Sequence, residues 1–204
     1  MTADLVESWT AVAGGTQASV DCWAGLIGRW SEPHRRYHGI GHLTAVLLFV
    51  EEHTAHAADP DAVRLAVWYH DAIYDPRAGD NEERSAALAE KELAALGLPA
   101  ERIGEVGRLV RLTASHAAED GDRNAELLND ADLLILASPK EAYVAYLNAV
   151  REEYAHLSDA EFRAGRAAVL DALLQLPRLY CLTALAPMED AARQNMAAEL
   201  SLNP

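Results

Sequence analysis

Three ionisable positions stand where the surrounding pattern requires hydrocarbon. His70 falls within the helical apolar set Val63, Ala66, Val67, Ile73 and Tyr74, and Asp71 follows it directly. His42 flanks a second stripe formed by Ile40, Leu43, Val46, Leu47 and Val50. Asp130 and Asp132 bracket Ala131 inside the apolar run from Leu127-Leu128 to Leu133-Leu134-Ile135. A buried aspartate without compensation is strongly disfavoured or forced to protonate. One shared cation would compensate all of these groups together. Two imidazoles with two carboxylates suit a divalent transition metal: the carboxylates neutralise its charge, and imidazole turns preference away from magnesium and calcium. Such an ion lowers the pKa of bound water and polarises a phosphoryl group.

The spacing also sets a geometric condition. Successive helical residues point about 100° apart, so His70 and Asp71 serve one ion only from the wedge between them or at a helix end. Asp75-Pro76 soon afterwards favours an end. His38 lies four residues before His42, either sharing its face or as a supporting or surface group. Each residue also has a plainer reading. A single histidine in an apolar stripe is ordinarily a satisfied core residue, Asp130 and Asp132 could be cap or surface groups, and Asp80 with Glu83 reads as a capping box.

The elements that must hold these residues are helical. Alanine and leucine dominate, while β-branched and aromatic residues are few, a bias towards helix over sheet. Helices are expected over Ala18 to Trp30, from about Tyr37 to His56, and from Pro60 behind an Asp59 cap. Further helices are expected from Asp80 to Leu96, Pro99 to His116 and Ala125 to Ala137. Ser138-Pro139-Lys140-Glu141 and Ser158-Asp159-Ala160-Glu161 read as starts of two more, the second stopping before Pro177. A last helix runs from about Pro187 to Leu200. No stretch alternates with period two, so the fold class is all-α.

The totals narrow the partners. The chain has 204 residues, half of them hydrophobic, which suits one domain. A formal net charge of −15 argues against nucleic-acid polymers and anionic membranes. A small phosphorylated substrate stays compatible if a metal and local arginines outweigh that field. Cys22 and Cys181 are far apart and without CxxC spacing, as expected for free thiols in a reducing compartment. Asp4 and Glu7 near the start, with no basic segment before an apolar run, do not make a signal peptide, so a cytoplasmic location is expected. Trp9, Trp23 and Trp30 could cover either the core or a partner, leaving room for a homo-oligomer.

The order His42, His70-Asp71 and an aspartate in Asp130-Ala131-Asp132-Leu133 resembles the H…HD…D pattern of the HD-domain superfamily of metal-dependent phosphohydrolases. The resemblance extends to a bacterial subgroup described as predicted metal-dependent HD phosphohydrolases. The phrases that carry it are Tyr37-His38-Gly39-Ile40-Gly41-His42, Trp68-Tyr69-His70-Asp71-Ala72-Ile73-Tyr74-Asp75 and Asp80-Asn81-Glu82-Glu83-Arg84-Ser85, with a weaker one around Ala191, Arg193 and Asn195. It implies a single HD-like helical bundle over residues 1–204, with a metal-binding core at about 37–137 and C-terminal helices over 138–204.

The resemblance further implies that His42, His70, Asp71 and Asp132 are ligands to a divalent transition metal (Mn, Fe, Co, Ni or Zn). It selects Asp132 over Asp130 because the superfamily ligand lies in an Ala-Asp-x-Leu context. Asp75 and Glu82 take the places of proton-handling acids. His116 takes that of an added histidine aimed into the site, and Arg77 and Arg84 are candidate phosphate partners. Gly39 departs from the asparagine common in the subgroup, which would loosen a turn or remove a supporting contact. The implied activity is hydrolysis of a small phosphoester or nucleotide by metal-activated water. Two alternatives are a non-catalytic, metal-stabilised interaction or sensing module and a di-iron oxygenase drawing on His38 and His116.

Overall fold

A computed structural model describes residues 2–202, so Met1, Asn203 and Pro204 of the expected 1–204 domain lie outside the described residues. Ten α-helices and three 3₁₀ turns follow one another, with no strand among the described residues. They are α1 (Thr2–Ala13), α2 (Gln17–Trp30), α3 (Ile40–Glu52), α4 (Pro60–Tyr69), α5 (Asn81–Ala95), α6 (Ala100–Leu112), α7 (Arg123–Leu133), α8 (Lys140–Glu153), α9 (Asp159–Gln175) and α10 (Glu189–Leu202). No described helix is long and apolar enough to cross a membrane.

Local chemistry sets several of the boundaries. Asp59 caps α4 by accepting from the Ala62 N–H at 3.1 Å. Ser158 and Glu161 form the expected capping box at α9. Two other expected caps are not formed. Asp80 makes no side-chain cap bond to α5, and Glu83 is drawn instead to Arg111 on α6, at 2.7 and 2.8 Å. Pro139, not Ser138, stands at the α8 cap position, and the Ser138 hydroxyl is buried without a partner. The expected helix over 37–56 begins later and breaks sooner, as α3 and a 3₁₀ turn, Thr54–His56. The α6 and α7 helices likewise end short of the expected His116 and Ala137, and α7 passes into a 3₁₀ turn, Leu134–Ala137. α1 is a helix for which no boundary signal stood out.

α4 lies at the centre. Every residue from Ala62 to Tyr69 except Arg64 is buried, and one hydrophobic cluster runs from Leu5 to Met196. The C-terminal helices therefore share the core of the first seven. Trp9 and Trp30 serve that core: Trp9 Nε1 donates to the Ser19 carbonyl at 3.0 Å, and Trp30 Nε1 to that of Trp68 at 3.0 Å. Arg193 donates to the carbonyls of Leu174 and Leu176, while Asn195 donates to those of Leu136 and Ser138. These bonds fasten α10 to the turns after α9 and α7. Both cysteines are free.

Candidate metal centre

α4 stops one residue before His70. The His70 N–H still reaches the Ala66 carbonyl at 2.8 Å, but Ala72 N–H closes a turn onto Tyr69. Asp71 is thus off the helix, which removes the 100° constraint between neighbours. His70 is 1% exposed and its Nδ1–H donates to the Val67 carbonyl at 2.8 Å. That bond fixes the tautomer and leaves Nε2 as the bare nitrogen. His42 sits in the first turn of α3, and Asp132 in the last turn of α7. Trp30 packs behind both imidazoles, with ring centroids 5.3 Å from His70 and 6.3 Å from His42.

The donor atoms of His42, His70 and Asp132 all lie within 4.8 Å of one another, and the group could hold a metal ion. His42 Nε2 is 3.1 Å from His70 Nε2 and 3.1 Å from Asp132 Oδ1. Asp71 Oδ2 is 3.4 Å from His70 Nε2 and 3.9 Å from His42 Nε2. Ligands held about 2.1 Å from an ion lie roughly 3.0–3.4 Å apart as neighbours and roughly 4.2 Å apart across it. Three of the spacings lie at neighbour distance, while the 3.9 Å one and the 3.7 Å from His70 Nε2 to Asp132 Oδ1 fall between the two values. Two buried imidazole nitrogens facing each other, with the His70 ring held by its Val67 bond so that Nε2 points at the partner, fit a cation between them.

Electrostatics agree with this use. Burial, only partly offset by Asp132, holds His42 below the usual histidine range and so favours the neutral ligand form. Burial alone would raise the Asp132 pKa, but His70 and His42 hold it well below the usual carboxylate range. Asp130, two residues earlier, is a structural group. Its carboxylate accepts from the Cys181 N–H at 2.8 and 2.9 Å and from Leu182 at 2.7 Å.

No family model, curated protein or solved structure matches this chain.

The group opens on a cavity of about 350 Å³ whose wall includes Asp71, Glu82, His116, Asp132 and Arg166. Glu82 is aimed there by its neighbours. Asn81 exchanges hydrogen bonds with the Asp75 backbone at 3.1 and 3.0 Å, and Ser85 does so with Ile73 at 2.9 and 3.3 Å. The loop after His70-Asp71 is thereby pinned along α5, with Glu82 between the two pins. His116 has φ of 52°, in the left-handed region, and its Nδ1 is buried without a partner. Such strain and an orphaned polar atom are common where a ligand is held.

Asp75, Arg77 and Arg84 are not brought to this cavity. They line a neighbouring one of about 510 Å³, with Arg29 and His34, on the other side of Tyr74. The Asp75 carboxylate caps the Arg77 N–H at 3.0 Å, a turn role that follows from its position before Pro76.

His38 precedes α3 and does not share a helix face with His42. Its Nδ1 pairs with Glu153 Oε2 at 2.7 Å, while Glu153 Oε1 accepts from the N–H groups of Arg36, Tyr37 and His38 at 2.7, 2.8 and 2.9 Å. Tyr74 donates its hydroxyl to Oε2 at 2.8 Å. Burial would raise the Glu153 pKa, yet these donors, His38 first, lower it to about 2. In return Glu153 outweighs the effect of burial on His38 and raises the histidine pKa. Nε2 is left as the His38 nitrogen available to the cavity it lines. Gly39 has a local reason as well, since a Cβ there would sit 3.3 Å from the Trp30 carbonyl oxygen.

Glu153, Arg166 and Arg35 are the site groups that sequence reading did not single out. Glu153 is one acid of the Glu152-Glu153 pair at a helix end, and Arg166 lies in the ordinary helical run Arg163 to Ala168. Arg166 is distinguished only by its place in the cavity wall, and Glu153 only by its bond to His38.

Proposed function

We propose that this chain is a metal-dependent phosphohydrolase acting on a small phosphoester or nucleotide. The observation that carries the reading is the close group of His42, His70 and Asp132, with Asp71 beside it, at the wall of one cavity. The motif order that resembles the HD superfamily supports it. In this reading His42, His70, Asp71 and Asp132 hold a divalent transition metal, one of Mn, Fe, Co, Ni or Zn. The ion supplies Lewis acidity towards a phosphoryl oxygen and a lowered pKa for water.

The remaining steps fall to the chain. Glu82, the described cavity carboxylate outside the metal group, accepts the proton released by the attacking water. His38, oriented by Glu153, offers Nε2 to a substrate oxygen. His116 offers its unpartnered Nδ1 to another. Asp75, Arg77 and Arg84 take no part, because they face the neighbouring cavity. Neither the oxygenase alternative nor the interaction-module alternative is favoured by a particular observation.

The deciding experiment is elemental analysis of purified protein and of a folded His70→Ala, Asp71→Ala double variant, followed by a phosphoester panel with the metal found. About one ion per wild-type chain, absent from the variant, with turnover of at least one phosphoester, is the expected result. A fully loaded, folded protein that hydrolyses nothing in a broad panel leaves the metal-stabilised module as the answer. Negligible metal in both proteins after reconstitution ends the metal reading as well.

A further inference from the structure

The cavity at the metal group is walled in part by Tyr37, Tyr74, Tyr146 and Tyr154, and Asp71, Glu82 and Asp132 give it a strong negative charge. Arg166, on α9, is the one lysine or arginine among its described lining residues. Its side chain is 12% exposed, and that of its partner Glu199 is 4% exposed. Nε donates to Glu199 Oε1 at 2.8 Å and Nη2 donates to Oε2 at 3.2 Å. Tyr143 donates its hydroxyl to the same carboxylate at 2.6 Å. The guanidinium carbon lies 5.2 Å from the centroid of the Tyr146 ring, which itself packs 4.6 Å from that of Tyr37 beside His42.

Glu199 occupies one edge of the guanidinium fork; among the described residues no carboxylate is paired with Nη1, and the Tyr146 hydroxyl is the other side-chain group hydrogen-bonded to this arginine. An ion pair this deep is costly, and hydrocarbon of similar volume often replaces one without loss of stability. Here it has a use. The planar fork matches carboxylate and phosphate oxygens, and an arginine already fixed by Glu199 and Tyr146 loses little freedom when an anion arrives.

We propose that Arg166 is the anion-binding residue of this cavity and that, as the one guanidinium among its described lining residues, it restricts the site to compounds bearing a single phosphoryl group. The substrate part of this inference rests on the phosphohydrolase reading; the binding part does not. Each added phosphate would bring more negative charge against Glu82, the cavity carboxylate outside the metal group, with no second guanidinium among the described lining residues to receive it. The volume of about 350 Å³ also lies near the lower end of small-molecule pockets, roughly 300–1,000 Å³.

The test uses metal-loaded, full-length protein. Inorganic phosphate is titrated calorimetrically into wild type, Arg166→Gln and Arg166→Lys, and kcat and KM are measured for a nucleoside monophosphate and its triphosphate. Arg166→Gln should weaken phosphate binding and raise KM by about 10- to 100-fold, the usual loss for a charge-assisted hydrogen bond, with metal content unchanged. Arg166→Lys should recover part of the affinity. Wild type should favour the monophosphate at least tenfold in kcat/KM.

Phosphate affinity within twofold of wild type in folded, metal-replete Arg166→Gln overturns the assignment, and equal use of the triphosphate overturns the size limit. If Arg166→Gln does not fold, Arg166→Lys decides: an unchanged phosphate affinity is then fatal, and a loss of threefold or more supports the fork. Wild type that binds phosphate through Arg166 but hydrolyses no ester would sink the hydrolase reading and leave the anion site standing.

Discussion

Arg35 donates from Nη1 to the main-chain oxygen of Asp71 at 2.8 Å, and from the same nitrogen to that of His38 at 2.9 Å. A third bond, from Nη2, reaches the Ala72 carbonyl at 3.3 Å. The guanidinium is held between the rings of Trp30 and Tyr74, at 5.4 and 5.3 Å from their centroids. One buried cation thus joins the segment that leads into His42 to the turn that carries Asp71. The relative placement of those two metal-group residues depends on it.

Replacing Arg35 by methionine keeps much of the volume and strands three carbonyl groups. Stability should fall by about 3 kcal/mol or more, as for other broken buried charge networks. Urea denaturation measures this directly. A loss under about 1 kcal/mol would mean that water or a neighbour satisfies those carbonyls in its place.

Asp130 and Asp132 should separate stability from metal binding. Asp130→Ala removes the acceptor of the Cys181 and Leu182 N–H groups and should cost about 2–4 kcal/mol while metal content is retained. Asp132→Asn should leave a folded protein that has lost at least tenfold in metal affinity. The opposite pattern, seen by elemental analysis and denaturation together, would reverse the two roles.

Glu153 gives a pH signature. Its pKa drops from an ordinary value of 4.5 to about 2, so its contribution is present above the ordinary value and is lost as pH falls towards 2. The shift corresponds to about 3 kcal/mol for this buried group. His38, with a raised pKa, acts in the other sense: its contribution is complete below its ordinary value of 6.5 and fades as pH rises through the raised one. Metal-free wild type should therefore exceed Glu153→Gln in stability at pH 5, and the gap should close by pH 2. A gap that stays constant across that range would show that Glu153 keeps an ordinary pKa.

Metal removal should lower the melting temperature. An ion at about 100 times its dissociation constant stabilises by about 2.7 kcal/mol. For a chain of this size that is roughly 5–11 °C. Thermal scans with metal and with chelator, on wild type and Asp132→Asn, check it; the response of the variant should be about half that of wild type or less.

Glu82→Gln should lower kcat by about 100-fold or more on whichever phosphoester the protein hydrolyses, with metal content and KM little changed. Asp75→Asn, in the neighbouring cavity, should leave kcat within a few-fold of wild type. Steady-state kinetics on the two variants decides between these carboxylates.

The helical architecture was legible because its signals are local: apolar stripes, the Asp59 and Ser158 caps, and proline or glycine at helix ends. His70, inside an apolar stripe, and His42, beside one, stood out for a related reason, whereas only the resemblance of the Ala-Asp-x-Leu context separated Asp132 from Asp130. The failures are tertiary. Glu83 belongs to Arg111 across a helix pair and so leaves its expected capping box. Arg77 and Arg84 lie close to Asp71 in sequence, but the turn at Asp75-Pro76 carries them past Tyr74 into another cavity. Arg166 and Glu153 reach the site from α9 and α8, and nothing in their local sequence reports that distance. Arg35 was invisible for a similar reason, since its partners apart from nearby Glu32 are main-chain oxygens, which every residue has.

His42, His70, Asp71 and Asp132 all lie within the first two-thirds of the chain, whereas Glu153 and Arg166 come after them. Synthesis delivers the chain from its N-terminus, and earlier portions begin to fold first. A growing polypeptide therefore presents its imidazoles and carboxylates to the surrounding ions before α8 has immobilised His38 and before α9 has walled the cavity. A chain interrupted before α9 would carry those four residues without the part of the cavity wall that Arg166, Val169 and Leu173 supply.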